Sequence, residues 1–251
     1  MARNVVKYKQ KKKSAGWRRS LLAVALTLLL FGSLALYLTS PLVLVNELIV
    51  RGNDVVSEEE LVTLTGLERG MHFWRLGLGE KQAALARHPW LAEVSIKRAF
   101  PNNIIIEVAE RQPVAALSLK DGGWLPVAAD GAVLTPVAGM SLPFLTGIQF
   151  DVNPGDIVDV DEVMFSLDLL QDFSPIQKQL SEVNISQLPL YFTLYTTDGY
   201  IVKIWAGDDY SQRLDDLNLV LAQLRSQGAR GVVDMRTRTG QVVFNPHESD
   251  N

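Results

Sequence analysis

The chain has 251 residues and no cysteine, which excludes a disulfide-stapled fold and requires apolar burial to hold the folded part together. Its formal net charge of −4 conceals two opposite regions, because eight of the 24 lysines and arginines lie in the first nineteen residues, which hold no acid. The rest of the chain carries all 28 acids and is strongly acidic.

An uncharged run rich in Leu and Ala, Leu21–Leu38, follows the basic tail. As a helix it would be about 27 Å long, close to the hydrocarbon thickness of a bilayer. Trp17 and Tyr37 flank it with aromatic side chains of the kind found at headgroup depth. It lacks both the polar face of a buried core helix and the cleavage site of a signal peptide. The run predicts a transmembrane helix over residues 20–40.

The basic tail, residues 1–19, predicts the orientation of this helix. Only Arg51 and Arg69 lie within about 30 residues after it, so the positive-inside rule places the tail in the cytoplasm and everything from about Pro41 outside. Lys7–Lys13 could also be interpreted as a nucleic-acid patch. Orientation and attraction to anionic lipid explain these charges without a further assumption, so no nucleic acid is expected.

The first roughly 70 exported residues switch between strand and helix patterns. Leu44–Val50 is dense in branched residues and predicts a strand. Ser57 can accept a hydrogen bond from the amide of Glu60 while the Glu60 carboxylate reaches back, a capping box that predicts a helix start. A second short helix is expected over about Gly79–Arg87, with Pro89 as its stop.

Two strands follow these helices, one from residue 90 and one from 104 to 110. In each, apolar residues recur at every second position, which predicts one inward face. The expected inward side chains are Trp90, Ala92, Val94 and Ile96 in the first strand and Ile104, Ile106 and Val108 in the second. The module therefore has the order strand, helix, helix, strand, strand.

Beyond Pro113 the pattern changes to short strand-like runs broken by turn residues, which predicts a sheet domain. Two helices interrupt it, at about Asp161–Asp172 and about Tyr210–Ser226, the second with leucines in phase. The domain closes with strands over Gly231–Met235 and Gln241–Phe244. The whole chain is therefore expected to be α+β, with mostly antiparallel strands and two helices in the second domain.

An enzyme needs titratable groups that converge, and the sequence offers no such arrangement. His72, His88 and His247 have no partner at metal-ligand spacing. The acids within 151–162 do not match the spacing of a calcium loop. The sequence therefore predicts no catalytic, metal or cofactor site.

A binding function is the simplest remaining interpretation. A sheet edge offers main-chain amides and carbonyls that an extended partner can complete. The last predicted strand, Gln241–Phe244, is the natural candidate because only seven residues follow it. The alternative is that strands of the same domain pair with both its sides.

In this order of elements, and in several short motifs, the chain resembles the FtsQ/DivIB family of bacterial cell-division proteins over nearly its whole length. The motifs are Val50-Arg51-Gly52-Asn53, Ser57-Glu58-Glu59-Glu60-Leu61, His88-Pro89-Trp90-Leu91, Lys97-Arg98-Ala99-Phe100-Pro101-Asn102, Leu142-Pro143-Phe144-Leu145-Thr146-Gly147 and Val233-Asp234-Met235-Arg236. Another, Val108-Ala109-Glu110-Arg111-Gln112-Pro113-Val114-Ala115, resembles the family's hinge between its two domains.

The resemblance implies a POTRA-like domain over 41–113, a partner-binding β domain over 114–246 and a flexible tail over 247–251. It implies a non-enzymatic septal scaffold that binds FtsB, also called DivIC, and FtsL and helps to regulate septal peptidoglycan synthesis. The POTRA-like domain would dock with other division proteins. The chain would then be a single-pass protein of the bacterial plasma (inner) membrane, concentrated at the division septum, with its C-terminus outside the cytoplasm.

The resemblance also assigns the contact region for FtsB by position. That region comprises Asp234, Met235, Arg236, Thr237, Arg238, Thr239, Gly240, Gln241, Val242, Val243 and Phe244. Some relatives carry aromatic residues where this chain has Thr237 and Asn245, so the energetic centre is expected to have moved, to Phe244 or Arg236.

Two other functions would each require a feature that the sequence does not show. A POTRA protein for outer-membrane assembly or secretion would need repeated modules or a barrel of many strands. A membrane-anchored cell-wall hydrolase would need a catalytic pair, which the search for titratable groups did not find.

Overall fold

The computed structural model describes residues 15–40, 43–172, 179–206, 210–236 and 241–246. Within them the chain has the predicted α+β class, with an N-terminal apolar helix and a mostly β C-terminal part. The elements are α1 Ala15–Thr39, β1 Glu47–Arg51, α2 Glu58–Thr65, α3 Leu78–Leu85, β2 Leu91–Ala99, β3 Asn103–Glu110, β4 Pro113–Leu119, β5 Trp124–Ala128, β6 Phe144–Phe150, α4 Asp161–Asp172, β7 Leu180–Asn184, β8 Tyr191–Thr196, β9 Ile201–Trp205, α5 Tyr210–Ser226, β10 Gly231–Met235 and β11 Val243–Pro246.

Helix α1 is long and apolar enough to cross a membrane. Its segment Trp17–Thr39 has a mean hydropathy of 2.4 and is not covered by the rest of the protein. At about 1.5 Å per residue this segment is about 35 Å long, which exceeds the hydrocarbon thickness of a bilayer. The hydroxyls of Thr27, Ser33 and Thr39 donate to main-chain carbonyl oxygens one turn earlier, at 2.8, 2.9 and 3.0 Å. These hydroxyls therefore need no water inside a bilayer.

The small module, residues 43–111, has a three-stranded sheet of order β1-β3-β2. Helix α3 packs on β2, and α2 packs on α3. Helix α2 begins as predicted, since the Ser57 hydroxyl accepts from the Glu60 amide at 3.2 Å. It ends at Gly66, whose positive φ of 58° favours glycine. Ile104 and Ile106 of β3 are fully buried, as their alternation predicted.

The predicted inward face of β2 is wrong at its start. Trp90 and Ala92 were both expected to face inward, with Leu91 outward, whereas Leu91 is buried and Ala92 is exposed. The pairing of β2 with β3 shifts between Leu91 and Glu93, which marks a β-bulge. A bulge moves the two-residue period by one position, so that Trp90 and Leu91 both enter the core.

The second sheet has eight described strands in the order β11-β10-β9-β8-β7-β6-β4-β5. Its antiparallel pairings outnumber its parallel ones, as predicted, but three pairs are parallel: β4 with β6, β6 with β7, and β9 with β10. Parallel neighbours need a crossover connection. Helix α4 connects β6 to β7 and α5 connects β9 to β10, each with the bounds that the sequence predicted.

One face of this sheet packs against both crossover helices. Leu167 of α4 and Leu221 of α5 share a core cluster with Val202 of β9 and Val233 of β10. Alternate residues of these strands, such as Lys203, are only partly buried and point to the opposite side. We call that opposite side the open face.

Arg111 joins the two sheets from the short connection between β3 and β4. Its Nη1 donates to the carbonyl oxygens of Pro89 and Leu91 at 2.9 and 2.6 Å. Its Nε donates to the carboxylate of Asp130 at 2.7 Å. Apolar side chains from both parts share one core cluster here: Trp90, Ala128, Ala132 and Leu134. The region that resembles a hinge is therefore cross-braced by charge-assisted hydrogen bonds and by apolar packing.

Candidate functional site

Strand β11 forms one edge of the eight-stranded sheet. It runs antiparallel to β10, with Val243 opposite Asp234 and Phe244 opposite Val233. Among the described strands, nothing pairs with its other side. An edge of this kind presents main-chain N–H and C=O groups that an extended segment of another chain can complete. The geometry of β11 therefore suits strand addition.

Strand β11 is held to the sheet by side chains as well as by the main chain. Val242 and Phe244 are partly buried and pack against the core cluster, whereas Val243 is 46% exposed. Gly231 of β10 allows the strands to approach closely, because a Cβ at this position would overlap the carbonyl oxygen of Asn245. These contacts fix the register in which β11 presents its outer edge.

A polar cluster lies beside β11 on the open face. Arg236 donates from Nε and Nη2 to the Asp234 carboxylate at 2.9 and 2.6 Å, and its main-chain N–H donates to Asp234 at 3.0 Å. The guanidinium carbon lies 4.7 Å from the centroid of the Tyr191 ring, within the range of a cation–π contact. Arginine and tyrosine are enriched at the energetic centres of protein interfaces. Here Arg236 follows β10, the neighbour of β11, and Tyr191 begins β8, two strands further into the sheet.

Asp234 and Arg236 keep each other charged. Hydrogen bonds from Arg236 hold the pKa of Asp234 below its ordinary value, against the opposing effect of burial. Hydrogen bonding to the Asp234 carboxylate raises the pKa of Arg236. Both side chains are partly exposed, so solvent screens the pair and its net contribution to stability is at most about 1 kcal/mol. Its main effect is to fix the direction of the guanidinium.

The predicted contact region is only partly assembled on one surface. Asp234, Arg236 and Val243 lie near one another at the sheet edge. Met235 is only 4% exposed and Phe244 packs on the core, so these two side chains support the strands from the opposite face. Gln241 and Val242 directly precede β11, while Thr237, Arg238, Thr239 and Gly240 lie outside the described residues.

Two features of this site differ from the sequence prediction. Strand β11 is Val243–Pro246, two residues later than the predicted Gln241–Phe244. Tyr191 and Lys203 were not predicted as site residues, although Lys203 lies opposite Asp234 in the parallel pair of β9 and β10. The alternation of side chains along β8 and β9 could have assigned Tyr191 and Lys203 to the open face. It identifies them as site residues only once the order of the strands in the sheet is known.

The histidines and acids weighed from the sequence form no larger cluster in the described part of the chain. Nε2 of His88 lies 3.4 Å from a carboxylate oxygen of Glu60. The Glu60 carboxylate therefore faces His88, whereas the capping box predicted that it would accept from the Ser57 amide. His247 lies outside the described residues. Among those described, no group of three or more His, Asp or Glu side chains could hold a metal ion.

Comparison with known proteins extends the similarity over both sheets. A family described as "POTRA domain, FtsQ-type" matches residues 43–111, the small module. The "Cell division protein FtsQ" of Myxococcus fulvus is 32% identical over 246 residues, which cover 90% of this chain and 84% of that protein.

Two further relatives agree in name and extent. The "Cell division protein FtsQ" of an Anaeromyxobacter species is 30% identical over 218 residues, covering 81% of this chain and 72% of that protein. The "Cell division protein DivIB" of Bacillus selenitireducens is 26% identical over 236 residues, covering 91% of this chain and 87% of that protein. Similarity of this extent includes the eight-stranded sheet as well as the small module.

Proposed function

The chain belongs to the FtsQ/DivIB family of bacterial cell-division proteins, and from that membership we propose that it is a non-enzymatic scaffold of the division septum. In this proposal β11 captures FtsB, also called DivIC, by strand addition, and FtsL binds with it. The three proteins together help to regulate septal peptidoglycan synthesis. The premises are the family's role in bacterial division and helix α1, which among the described residues is the one helix long and apolar enough to cross a membrane.

The exposed edge of β11 is the observation that carries this proposal. The strand pairs with β10 on one side, and the described part of the chain supplies no strand for the other. Main-chain pairing supplies affinity for an extended segment, while neighbouring side chains set specificity. Arg236, directly after β10, lies beside β11 and packs on the Tyr191 ring of β8, so it is the candidate for that second role.

We place the energetic centre at Arg236, which the Tyr191 ring supports from β8. Of the two positions considered from the sequence, Phe244 packs its side chain on the core of its own sheet. Arg236 lies on the open face, with its guanidinium aligned by Asp234. Interface energy concentrates in anchored arginine and aromatic side chains, and a pre-aligned guanidinium loses less freedom on binding.

The membrane arrangement completes the proposal. Basic residues precede α1 and the acidic part of the chain follows it, so the positive-inside rule places the N-terminus in the cytoplasm. Confinement to the membrane raises the effective concentration for partners that are themselves single-pass. The small module would contact other division proteins while the large sheet holds FtsB.

Substitution of Val242, directly before β11, by proline tests strand addition. Pro246, which has no N–H, lies opposite Gly231, so by the alternation of antiparallel pairs the Val243 N–H points towards β10 and the Val242 N–H points to the open edge. Proline removes a main-chain N–H and adds a ring that obstructs pairing, so it should weaken capture of the FtsB ectodomain by about tenfold or more. Val242→Thr is the matched control, because it keeps the N–H and the β-branched shape. Capture is measured by co-purification of the partner ectodomain with the full-length protein in detergent.

The result is interpretable only if the edge substitution leaves the sheet folded. Edge strands tolerate proline where the N–H points outward, so circular dichroism and the thermal midpoint of the proline variant should stay close to those of the threonine variant. Equal co-purification with a folded proline variant would remove the case for strand addition on β11.

A further inference from the structure

Large apolar side chains are exposed at one end of the small module. Phe100, at the turn between β2 and β3, is 88% exposed, and Trp74, in the loop before α3, is 53% exposed. Leu44 is also exposed. Arg98, two residues before Phe100, contacts the loop of Trp74: its Nε donates to the Phe73 carbonyl oxygen at 3.0 Å and its guanidinium carbon lies 5.9 Å from the Trp74 ring centroid. We call Leu44, Trp74, Arg98 and Phe100 the anchor-side patch.

Main-chain hydrogen bonds hold this patch close to the end of the membrane helix. The Val43 amide donates to the Ser40 carbonyl oxygen at 3.1 Å, directly after α1. The Val43 carbonyl oxygen accepts from the Phe73 amide at 2.7 Å, and the Asn46 amide donates to the Asn102 carbonyl oxygen at 2.9 Å. Three residues separate Thr39 from Val43, and the four Cα–Cα steps between them span at most about 14 Å. The loop of Trp74 and the turn of Phe100 are therefore held within a short distance of the point where α1 leaves the bilayer.

The residue types of the patch are those found at the level of the lipid headgroups. Tryptophan and phenylalanine insert their rings at the boundary between headgroups and acyl chains. Arginine combines an apolar stem with a charge that pairs with lipid phosphate. Arg75, next to Trp74, is exposed and adds a second guanidinium. Exposed apolar groups of this size usually mark a surface that is covered in the working molecule.

We propose that the anchor-side patch rests in the headgroup layer of the bilayer that α1 crosses, so that the small module docks on the membrane surface and is not simply tethered above it. The occupant of the patch is phospholipid. This contact fixes the orientation of the small module relative to the membrane. Because Arg111 joins the two sheets, it also fixes the orientation of the eight-stranded sheet. The proposal requires that α1 spans a bilayer, but it does not depend on partner capture by β11.

Depth measurement by spin labelling tests the proposal directly, because the chain has no cysteine of its own. The full-length protein is labelled with a nitroxide at Phe100→Cys and reconstituted into vesicles of phosphatidylethanolamine and phosphatidylglycerol. Val55→Cys is the matched control: Val55 is 42% exposed and lies beyond the far end of β1 in the same module. Collision with oxygen, which concentrates in lipid, is compared with collision with a water-soluble nickel chelate.

We expect the oxygen-to-nickel collision ratio to be several-fold higher at position 100 than at position 55. Adding Trp74→Ser to the Phe100→Cys protein should lower the ratio towards the control value, since the second aromatic contact is lost. Equal ratios at the two positions would overturn the proposal. So would a ratio at position 100 that rises only when another division protein is added, because the occupant would then be protein. Neither result would count against the proposed capture of FtsB by β11.

Discussion

The guanidinium of Arg111 contacts both sheets at once and is largely buried. Replacing it by alanine removes two hydrogen bonds to main-chain carbonyls of the small module and one to Asp130. Each hydrogen bond from a charged group contributes about 1.5–3 kcal/mol to folding stability when its partner is buried, and less where water can take the place of the lost donor. We expect Arg111→Ala to lower the free energy of unfolding by about 1–3 kcal/mol.

The measurement is thermal unfolding of the full-length protein in detergent, where a loss of this size lowers the midpoint by several degrees. Lys97→Ala is the control, because Lys97 also forms an ion pair, with Glu107 at 2.6 Å, but on an exposed surface of one sheet only. That variant should change the midpoint little. If the two variants have the same midpoint, Arg111 does not brace the sheets.

Single residues differ in how far the sequence predicts their role. Ser57 was predicted as a helix cap because the amide it binds is three residues away, so the interaction is local. Leu91 was assigned to the wrong face because a bulge depends on the partner strand, which the two-residue period does not describe. Tyr191 joins Arg236 only through the strand order, so no local pattern marks it as part of the site.

At the scale of elements, Gly231 sets how closely β11 lies against β10. A Cβ there would overlap the Asn245 carbonyl oxygen and lie 2.7 Å from the Pro246 Cα. Main-chain atoms cannot move aside as a flexible side chain does, so Gly231→Ala should displace the end of β11. Hydrogen exchange should then speed up by about tenfold or more in peptides from β10 and β11, because their pairing opens more often.

The control for that substitution is Gly79→Ala within α3. A Cβ at Gly79 meets nothing within 4 Å, and alanine is the better helix former. Exchange of β11 should be unchanged in this variant. Exchange rates in β11 that match between Gly231→Ala and the unmodified protein would show that the close approach is not needed to hold the edge strand.

The elements also show where sequence prediction succeeds and where it fails. The bounds of α4, α5 and β10 agree with those predicted, because apolar periodicity and flanking turn residues mark them locally. The parallel pairs joined through α4 and α5 were not predicted: a helix between two strands allows a parallel crossover, but the local pattern does not show which strands become neighbours in the sheet. The predicted bounds of β11 are two residues too early, because a four-residue run has too little periodicity to define its ends.

At the scale of the whole molecule, hydrogen bonds and apolar packing connect α1 to the edge strand β11 through both sheets. Hydrogen bonds of Val43 connect the end of α1 to the small module, and those of Arg111 connect that module to the eight-stranded sheet. The large sheet ends at β11, whose outer side is unpaired within the described residues. This arrangement suits a scaffold that presents a binding edge at a set position above the membrane.

The central claim is that division depends on the edge of β11, and complementation in the source bacterium tests it most directly. The chromosomal copy is depleted while a full-length variant is expressed at the same level, and septa are counted along the cells. We predict that depletion stops septation, that the Val242→Thr protein restores it, and that the Val242→Pro protein, present at the membrane in equal amount, does not. Normal septation after depletion, or full restoration by the Val242→Pro protein, would contradict the account.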